Sequence, residues 1–292
     1  MSDDFLDSRT AMSLEMVDGI IKWATDRRID EITVLGGEPA SHRQFADILV
    51  AARRHGRTVR TVTNGSRRFQ RALADDRVRE SLNRVAVSLD SADPAVCDRL
   101  RGAGAYADAM ATIELLRGCG IPFDINCTVL RSGLDGFERM LPLAEQLGAD
   151  RLNVHWFSAV GRARRHAVGE SVTPAEWHKQ VLNVVAEYSS PRPGYVVDCE
   201  LGYQFGMGGE QPAMCAVQDR TNLQFFPSGA VFGCGLLVED EERSGYVWRD
   251  GALHVRPGRT ELAQTEGRCG RCPLRDTADG YEPLCIYNRY VP

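Results

Sequence analysis

The chain has 292 residues, 43% of them apolar and 26% charged, which is the composition of a soluble globular protein with one large domain and a smaller one. Its net charge of −5, without any block of Lys and Arg, argues against a nucleic-acid-binding surface. No apolar run is long enough to cross a bilayer, and residues 1–4 are unlike the start of a signal peptide. We therefore expect a cytoplasmic protein with neither a nucleic-acid nor a membrane partner.

The apolar periodicity predicts a regular alternation of helices and strands. Strands are predicted near residues 31, 58, 84, 123 and 151, and helices over 13–27, 43–55, 67–81, 106–118 and 135–147. Such alternation is typical of parallel strands in an α/β protein. The carboxyl ends of parallel strands meet at one edge, which is where such folds bind small ligands.

The most informative stretch is the turn that follows the first predicted strand. Gly36 and Gly37 end this strand, and Glu38 and Pro39 come directly after them. Two glycines supply freedom in φ and let a ligand approach the backbone closely. Polar residues also end the later strands, namely Asn64, Ser88, Asp90, Asn126, Thr128 and His155. The pattern predicts a ligand site without identifying the ligand.

The rhythm of strands and helices stops after residue 160. A capping box over 173–176 predicts a helix that continues to about residue 188, and the Pro-rich segment 189–194 ends it. A hairpin is predicted around the turn at 227–229. We therefore divide the chain into a barrel domain over 1–160, a connector and linker helix over 161–192, and a small domain over 193–292.

The nine cysteines are unevenly distributed. Since disulfides are rare in a reducing compartment, a crowded set is better explained as a metal or cluster site. Two sulfurs separated by two residues can face one centre, and a hairpin brings a second pair together. A zinc knuckle is the alternative. Cys97, Cys119 and Cys127 are interpreted as small buried residues, whereas the candidate ligands lie in the tail: Cys215, Cys234, Cys269, Cys272 and Cys285.

Four ordered motifs together resemble one enzyme family. They are Gly36-Gly-Glu-Pro39, Thr63-Asn-Gly65, Ser88-Leu-Asp90 with Arg99-Leu-Arg-Gly102, and the cysteine pattern of the tail. The chain resembles a radical S-adenosylmethionine (radical SAM) enzyme with a carboxyl-terminal iron–sulfur domain of the SPASM or twitch type. The resemblance implies an α/β fold: a partial (β/α)6 barrel, here without its first strand, followed by a small cluster-binding domain.

The resemblance also implies roles for the residues at the strand ends. Glu38 would accept hydrogen bonds from the methionyl amino group of S-adenosylmethionine, with backbone contacts from the turn formed by Gly36, Gly37 and Pro39. Ser88 and Asp90 match positions that approach the ribose or the carboxylate. Two further candidates for the same ligand, which are alternatively ordinary inward-facing polar residues, are Asn126 and Thr128.

The reaction implied by the resemblance is radical chemistry. A reduced [4Fe–4S] cluster would cleave S-adenosylmethionine to a 5′-deoxyadenosyl radical, which abstracts hydrogen from a peptide or a small molecule. A flavodoxin or ferredoxin would supply the electron. The tail has too few cysteines for the two clusters of a full SPASM domain, so four of its five cysteines are expected to hold one auxiliary [4Fe–4S] cluster.

One departure from the family pattern is serious. The family holds its catalytic [4Fe–4S] cluster with Cys-x3-Cys-x2-Cys ahead of the first helix, whereas the first cysteine here is Cys97. We expect that the chain is an amino-terminally truncated form of a complete enzyme. The alternative is a catalytically inactive relative, which binds a ligand or partner and keeps only a structural metal, zinc or iron–sulfur, in its tail.

Overall fold

The computed structural model of the protein describes residues 11–157, 167, 169–199, 223–233 and 244–256. The chain divides into two compact units. One comprises Leu14–Phe157 with Glu176–Cys199, and the other comprises Met1–Ser13, Ser158–Ala175 and Glu200–Pro292. The domain limits drawn from the sequence at residues 160 and 192 stay a prediction.

A six-stranded parallel sheet with the strand order β1-β2-β3-β4-β5-β6 organises the first unit. Every neighbouring pair of its strands is parallel, so the predicted α/β class with a parallel sheet is confirmed. The strands are β1 Glu31–Val34, β2 Thr58–Thr63, β3 Arg84–Ser88, β4 Phe123–Val129, β5 Arg151–Trp156 and β6 Val196–Cys199.

Helices connect the strands, and all of them except α5 fall in segments where the sequence predicts a helix. They are α1 Leu14–Asp26, α2 Phe45–Arg54, α3 Arg67–Ala72, α4 Asp76–Ser81, α5 Pro94–Arg101, α6 Ala105–Gly118, α7 Met140–Leu147, α8 Pro174–Trp177 and α9 Asn183–Glu187, with a π-helical turn at His178–Leu182. The single helix predicted over 67–81 is instead two short helices. The second of them is capped by Asp75, whose side chain accepts from the Arg77 amide. Among the described helices, none is long and apolar enough to span a membrane.

Alternate residues of the strands face two different environments. On β4, Ile125 and Cys127 are fully buried, whereas Asn126 and Thr128 are half-buried. Successive side chains of a strand point to opposite faces of the sheet. The apolar residues therefore pack against the helices, and the polar residues lie on the inner face. The inner face is therefore the place where a polar ligand finds partners.

A layer of charged residues lies on the inner face near the amino ends of the strands. Asp124 is nearly fully buried, and it accepts from Arg60 at 2.9 Å and from Arg84 at 2.6 Å. Ala86 stands at the same register on the strand between them, and its small side chain leaves room for Arg60 to reach across. These charged side chains pair with one another and fill the amino half of the inner face. The carboxyl half of this face is therefore the part that a ligand can occupy.

Strand β6 was not predicted. It has four residues and pairs in parallel with β5, so the sheet continues past the Pro-rich break. Glu145 on α7 holds the segment that precedes it. Its carboxylate accepts from the Tyr188 hydroxyl at 2.5 Å, the Ser190 hydroxyl at 2.6 Å and the Arg192 amide at 2.8 Å.

These hydrogen bonds make a pH-dependent contribution to stability. The Ser190 and Tyr188 hydroxyls stabilise the ionised form, so the pKa of Glu145 is lowered in the folded protein. A lowered folded pKa gives stability that is present above the pKa of the unfolded chain and is lost as the pH falls through the folded value. We expect Glu145→Gln to lower the thermal midpoint at pH 7, and the difference from the unsubstituted protein to shrink toward pH 3.

The exposed neighbour Glu187 offers the matched control. Glu187→Gln should leave the thermal midpoint unchanged across the same pH range, measured by circular dichroism. An equal difference for Glu145→Gln at pH 3 and pH 7 would contradict the assignment of a lowered pKa to Glu145.

A four-stranded antiparallel sheet belongs to the other unit, with the order β10-β9-β8-β7. The hairpin predicted around 227–229 is confirmed, because β7 and β8 flank that turn. Gly229 has φ +88°, and a Cβ there would lie 2.7 Å from the Trp248 carbonyl oxygen. The strands are β7 Gln224–Phe225, β8 Ala230–Phe232, β9 Tyr246–Arg249 and β10 Ala252–Val255.

Candidate cofactor site

Glu38 lies in the turn after β1 and is held by the end of the neighbouring strand. The Thr63 hydroxyl lies 3.0 Å from both of its carboxylate oxygens, and the Asn64 amide donates to one of them at 3.0 Å. The Ala40 amide adds a longer bond of 3.4 Å, as the carboxylate caps a short 3₁₀ helix at Pro39–Ser41. Three donors from the protein thus orient this half-buried carboxylate.

The Glu38 carboxylate has capacity for a cationic ligand. An ionised carboxylate offers about four lone-pair positions, and its three protein donors do not use all of them. In the part of the chain that the structure describes, no Lys, Arg or His nitrogen lies within 4 Å of it. A half-buried carboxylate without a cationic partner among the described residues fits an ammonium group of a ligand.

The two glycines before Glu38 leave the backbone accessible, although not for the predicted conformational reason. Neither Gly36 nor Gly37 has a positive φ, so the expectation that they supply φ freedom is wrong. A Cβ on Gly36 would meet nothing closer than 3.9 Å, and one on Gly37 nothing within 4 Å. Both are exposed. Glycine at these positions therefore leaves open space in front of the backbone, where a ligand can approach.

The Asn64-Gly65 turn that supports Glu38 is rigid. Gly65 has φ +80°, and a Cβ there would lie 2.7 Å from the Ala109 Cα, so only glycine fits. Its carbonyl oxygen accepts from the Thr112 hydroxyl at 2.8 Å and from the Gln70 side chain at 3.0 Å. These contacts with α6 and α3 hold the turn in position. The turn then positions the Asn64 amide, which donates to Glu38.

Asp90, which follows β3, is buried and already bonded within the protein. One carboxylate oxygen accepts from the Thr128 amide at 2.8 Å and from Arg101 at 2.9 Å, and the other lies 2.6 Å from the Arg101 Nε. The cofactor contact predicted for Asp90 stays a prediction, since its carboxylate joins β3, β4 and α5 here. Thr128 contributes its backbone to this cluster, while its half-buried side chain lies on the inner face.

The remaining polar candidates form a row across the inner face. Ser88 on β3 is paired with Asn126 on β4, which is paired with Asn153 on β5. The Asn153 side chain donates to Asn126 at 2.8 Å. All three residues are half-buried. The structure therefore brings Ser88, at the end of β3, next to Asn126, in the middle of β4, and the cofactor contacts predicted for both stay a prediction.

The cysteines of the described residues do not form a metal site. Burial raises the pKa of the Cys97 thiol and of the fully buried Cys127 thiol, which keeps both protonated. Cys119 is exposed, so its predicted burial is wrong. Within the described ranges, no three side chains of His, Cys, Asp or Glu are grouped for metal binding. All predicted tail ligands lie outside those ranges: Cys215, Cys234, Cys269, Cys272 and Cys285.

Similarity to known proteins decides the family. The model of the Radical SAM superfamily matches residues 4–154, more than half of the chain. The chain belongs to the radical SAM superfamily. This match covers β1 to β4, the first four residues of β5, and the residues that contact Glu38, Asp90 and Asn126.

Several proteins are similar over much of the chain. The PqqA peptide cyclase of Streptomyces rochei is 27% identical over 64% of this chain and 56% of its own length. The AdoMet-dependent heme synthase of Nitratidesulfovibrio vulgaris is 25% identical over 88% of this chain and 78% of its own. Streptococcus suis SuiB bound to S-adenosylmethionine is 16% identical, with a TM-score of 0.63 over 79% of this chain and 55% of SuiB.

These comparisons support the predicted partial barrel of the radical SAM fold. The identity to SuiB is low, so that likeness concerns the fold. The chain spans 56% and 63% of the length of two of the curated relatives, the Streptomyces rochei cyclase and the heme synthase of Oleidesulfovibrio alaskensis.

Three residues of this region were not predicted as part of the site. Thr63 and Arg101 occur in the motifs quoted from the sequence, but their contacts to Glu38 and Asp90 had no local signal. Asn153 lies in the middle of a predicted strand and pairs with a residue 27 positions away. For Asn153, the only signal in the sequence is the alternation of side chains between the two faces of a strand. This alternation places Asn153 on the same face as His155 at the strand end.

Proposed function

We propose that the protein is a radical SAM enzyme that removes a hydrogen atom from a peptide or a small molecule. One-electron reduction of S-adenosylmethionine by a [4Fe–4S] cluster would break a C–S bond of the sulfonium and give methionine and the 5′-deoxyadenosyl radical that takes this hydrogen atom. A flavodoxin or ferredoxin would provide the electron.

The observation that carries this proposal is the arrangement around Glu38. Three protein donors orient its carboxylate, no cation neutralises it among the described residues, and exposed glycines lie beside it. A charge-assisted hydrogen bond to an ammonium group contributes about 1.5–3 kcal/mol, which is enough to select a ligand that carries one. Further contacts from Ser88, Asn126 and Thr128 would come from the inner face.

The class of substrate is proposed from the relatives. Among them are PqqA peptide cyclases and the mycofactocin maturase MftC, and one SuiB structure contains the precursor peptide SuiA. AdoMet-dependent heme synthases are also among them, and these support a small-molecule substrate. We therefore keep peptide and small-molecule substrates as the two classes to assay.

Binding of S-adenosylmethionine by this chain tests the proposed cofactor. Equilibrium dialysis under anaerobic conditions should give saturable binding of one molecule per chain. S-adenosylhomocysteine should compete for the same site, because it keeps the amino group, the carboxylate and the ribose. Failure of the folded chain to bind either compound would contradict the proposal.

We further propose that four of the five tail cysteines hold one auxiliary [4Fe–4S] cluster. Thiolates at Cys269 and Cys272 are separated by two residues, a spacing that lets both bind one centre. Anaerobic reconstitution with iron and sulfide should yield about four irons per chain, with a cluster signal by electron paramagnetic resonance after reduction. Cys272→Ser should reduce the iron content, whereas Cys119→Ser should not. Bound zinc without iron would contradict this assignment.

A further inference from the structure

A pair of asparagine side chains lies in the middle of the inner face. The Asn153 amide nitrogen donates to the Asn126 amide oxygen at 2.8 Å, and the two residues stand at the same register on β5 and β4. Both are half-buried, while Ile125 and Cys127, which flank Asn126 along β4, are fully buried. The pair therefore lies on the face that a ligand can reach, not on the face covered by helices.

One hydrogen bond determines the orientation of the Asn126 amide. An amide has an acceptor oxygen and a donor nitrogen on opposite sides of one carbon. Because the oxygen of Asn126 is directed to Asn153, its nitrogen is turned away from β5. Among the described residues, that nitrogen has no acceptor. Asn126 thus presents two N–H donors on the inner face, and it presents them because Asn153 engages the oxygen.

The surroundings suit a ligand that carries oxygen acceptors. Ser88 stands at the same register as Asn126 on the other side, and the half-buried Thr128 follows two residues later along β4. The nearest described acid on this row, Asp198, is neutralised by Arg151 at 2.7 Å. The row consequently offers hydroxyl and N–H donors without an unpaired negative charge that would repel an oxygen of the ligand.

We propose that Asn153 is a positioning residue for S-adenosylmethionine, an inference that rests on the function proposed above. Asn153 holds the Asn126 amide with its nitrogen available, and this nitrogen donates to an oxygen of the bound cofactor, either a ribose hydroxyl or the carboxylate. Asn153 acts on the cofactor through Asn126.

A double-mutant cycle tests this coupling by equilibrium dialysis with S-adenosylmethionine. Asn126→Ala removes the donor and should weaken binding about fivefold, the effect of one neutral hydrogen bond. Asn153→Ala frees the Asn126 amide to rotate and should weaken binding by up to about fivefold. The double variant should bind no more weakly than Asn126→Ala alone. The exposed Asn183→Ala is the control and should bind like the unsubstituted chain.

Replacement of Asn153 by the nearly isosteric aspartate gives a second test, because it turns the hydrogen-bond donor of this side chain into an acceptor. An aspartate at position 153 can only accept, so the Asn126 amide would turn its nitrogen toward it and present its oxygen instead. Asn153→Asp should therefore weaken binding at least as much as Asn126→Ala. A general attraction between the new carboxylate and the sulfonium would strengthen binding, and that result would overturn the proposal.

The outcomes separate this inference from the proposed function. Suppose that the unsubstituted chain binds S-adenosylmethionine. The positioning role is then wrong if the losses of affinity from Asn126→Ala and Asn153→Ala multiply in the double variant, or if Asn153→Ala does not change the affinity. If the unsubstituted chain does not bind, both proposals are overturned. The affinity for 5′-methylthioadenosine, which has the ribose but no carboxylate, identifies the cofactor oxygen that accepts from Asn126. A penalty for Asn126→Ala with this compound assigns the ribose, and its absence assigns the carboxylate; either supports a donor role for Asn126.

Discussion

Replacement of Glu38 by glutamine is expected to weaken the binding of S-adenosylmethionine by about 10- to 150-fold, the equivalent of 1.5–3 kcal/mol for one charge-assisted hydrogen bond. Glutamine keeps the size of the side chain and an oxygen that can accept from Thr63 or from the Asn64 amide. It removes the negative charge, which has no cationic partner among the described residues. The loss should therefore concern the ammonium group of the ligand far more than the fold.

Two controls isolate this effect. Glu31→Gln changes a carboxylate at the opposite end of the same strand, where it pairs with Arg60 at 3.5 Å, and it should leave the affinity unchanged. The ligand 5′-methylthioadenosine lacks the methionyl amino group, so its affinity should be the same for Glu38→Gln and for the unsubstituted chain. An equal loss for both ligands would mean that Glu38 supports the site without contacting the amino group.

Replacement of Arg101 by alanine is expected to lower the free energy of unfolding by about 3 kcal/mol, the low end of the cost of breaking a buried ion pair. The Asp90 side chain is 6% exposed and the Arg101 side chain 24% exposed. Removal of the guanidinium leaves a buried carboxylate with only the Thr128 amide as its partner. The lower end of the range applies because water can reach part of the site that Arg101 leaves.

Arg99 provides the matched control, since it lies on the same helix and is exposed. Arg99→Ala should change the free energy of unfolding by no more than about 0.5 kcal/mol, as is usual for surface residues. Urea denaturation of both variants gives the comparison, with the slope of the transition checked for a change in the unfolded state. Equal stability of the two variants would show that the Asp90–Arg101 pair does not stabilise the loop after β3.

The strands and helices of the barrel could be predicted because their signals are local. In strand β4, for example, apolar residues alternate with polar ones, and Gly120, which has a positive φ, follows the end of the preceding helix. Strand β6 has no such signal. It is four residues long, follows a Pro-rich break and owes its place to pairing with β5, whose partner residues lie about 45 positions earlier in the chain.

The positions of the site residues could likewise be predicted, whereas their contacts could not. The sequence places Glu38 and Asp90 at strand ends, because a turn follows each strand. It does not show that Asp90 is bonded to Arg101, or that Thr63 lies against Glu38, since these pairs are separated by 11 and 25 positions. Contacts of this kind depend on how strands and helices that are apart in the sequence pack against each other, which only the folded protein defines.

A crystal structure of the chain with S-adenosylmethionine tests most directly whether Glu38 binds the amino group of this compound. We predict that the methionyl nitrogen lies about 2.7–3.2 Å from a carboxylate oxygen of Glu38, the range of a normal hydrogen bond, with the ribose directed toward the row that includes Asn126. A well-defined ligand whose amino group lies elsewhere, with the Glu38 carboxylate still bonded only to Thr63 and the neighbouring amides, would contradict the account.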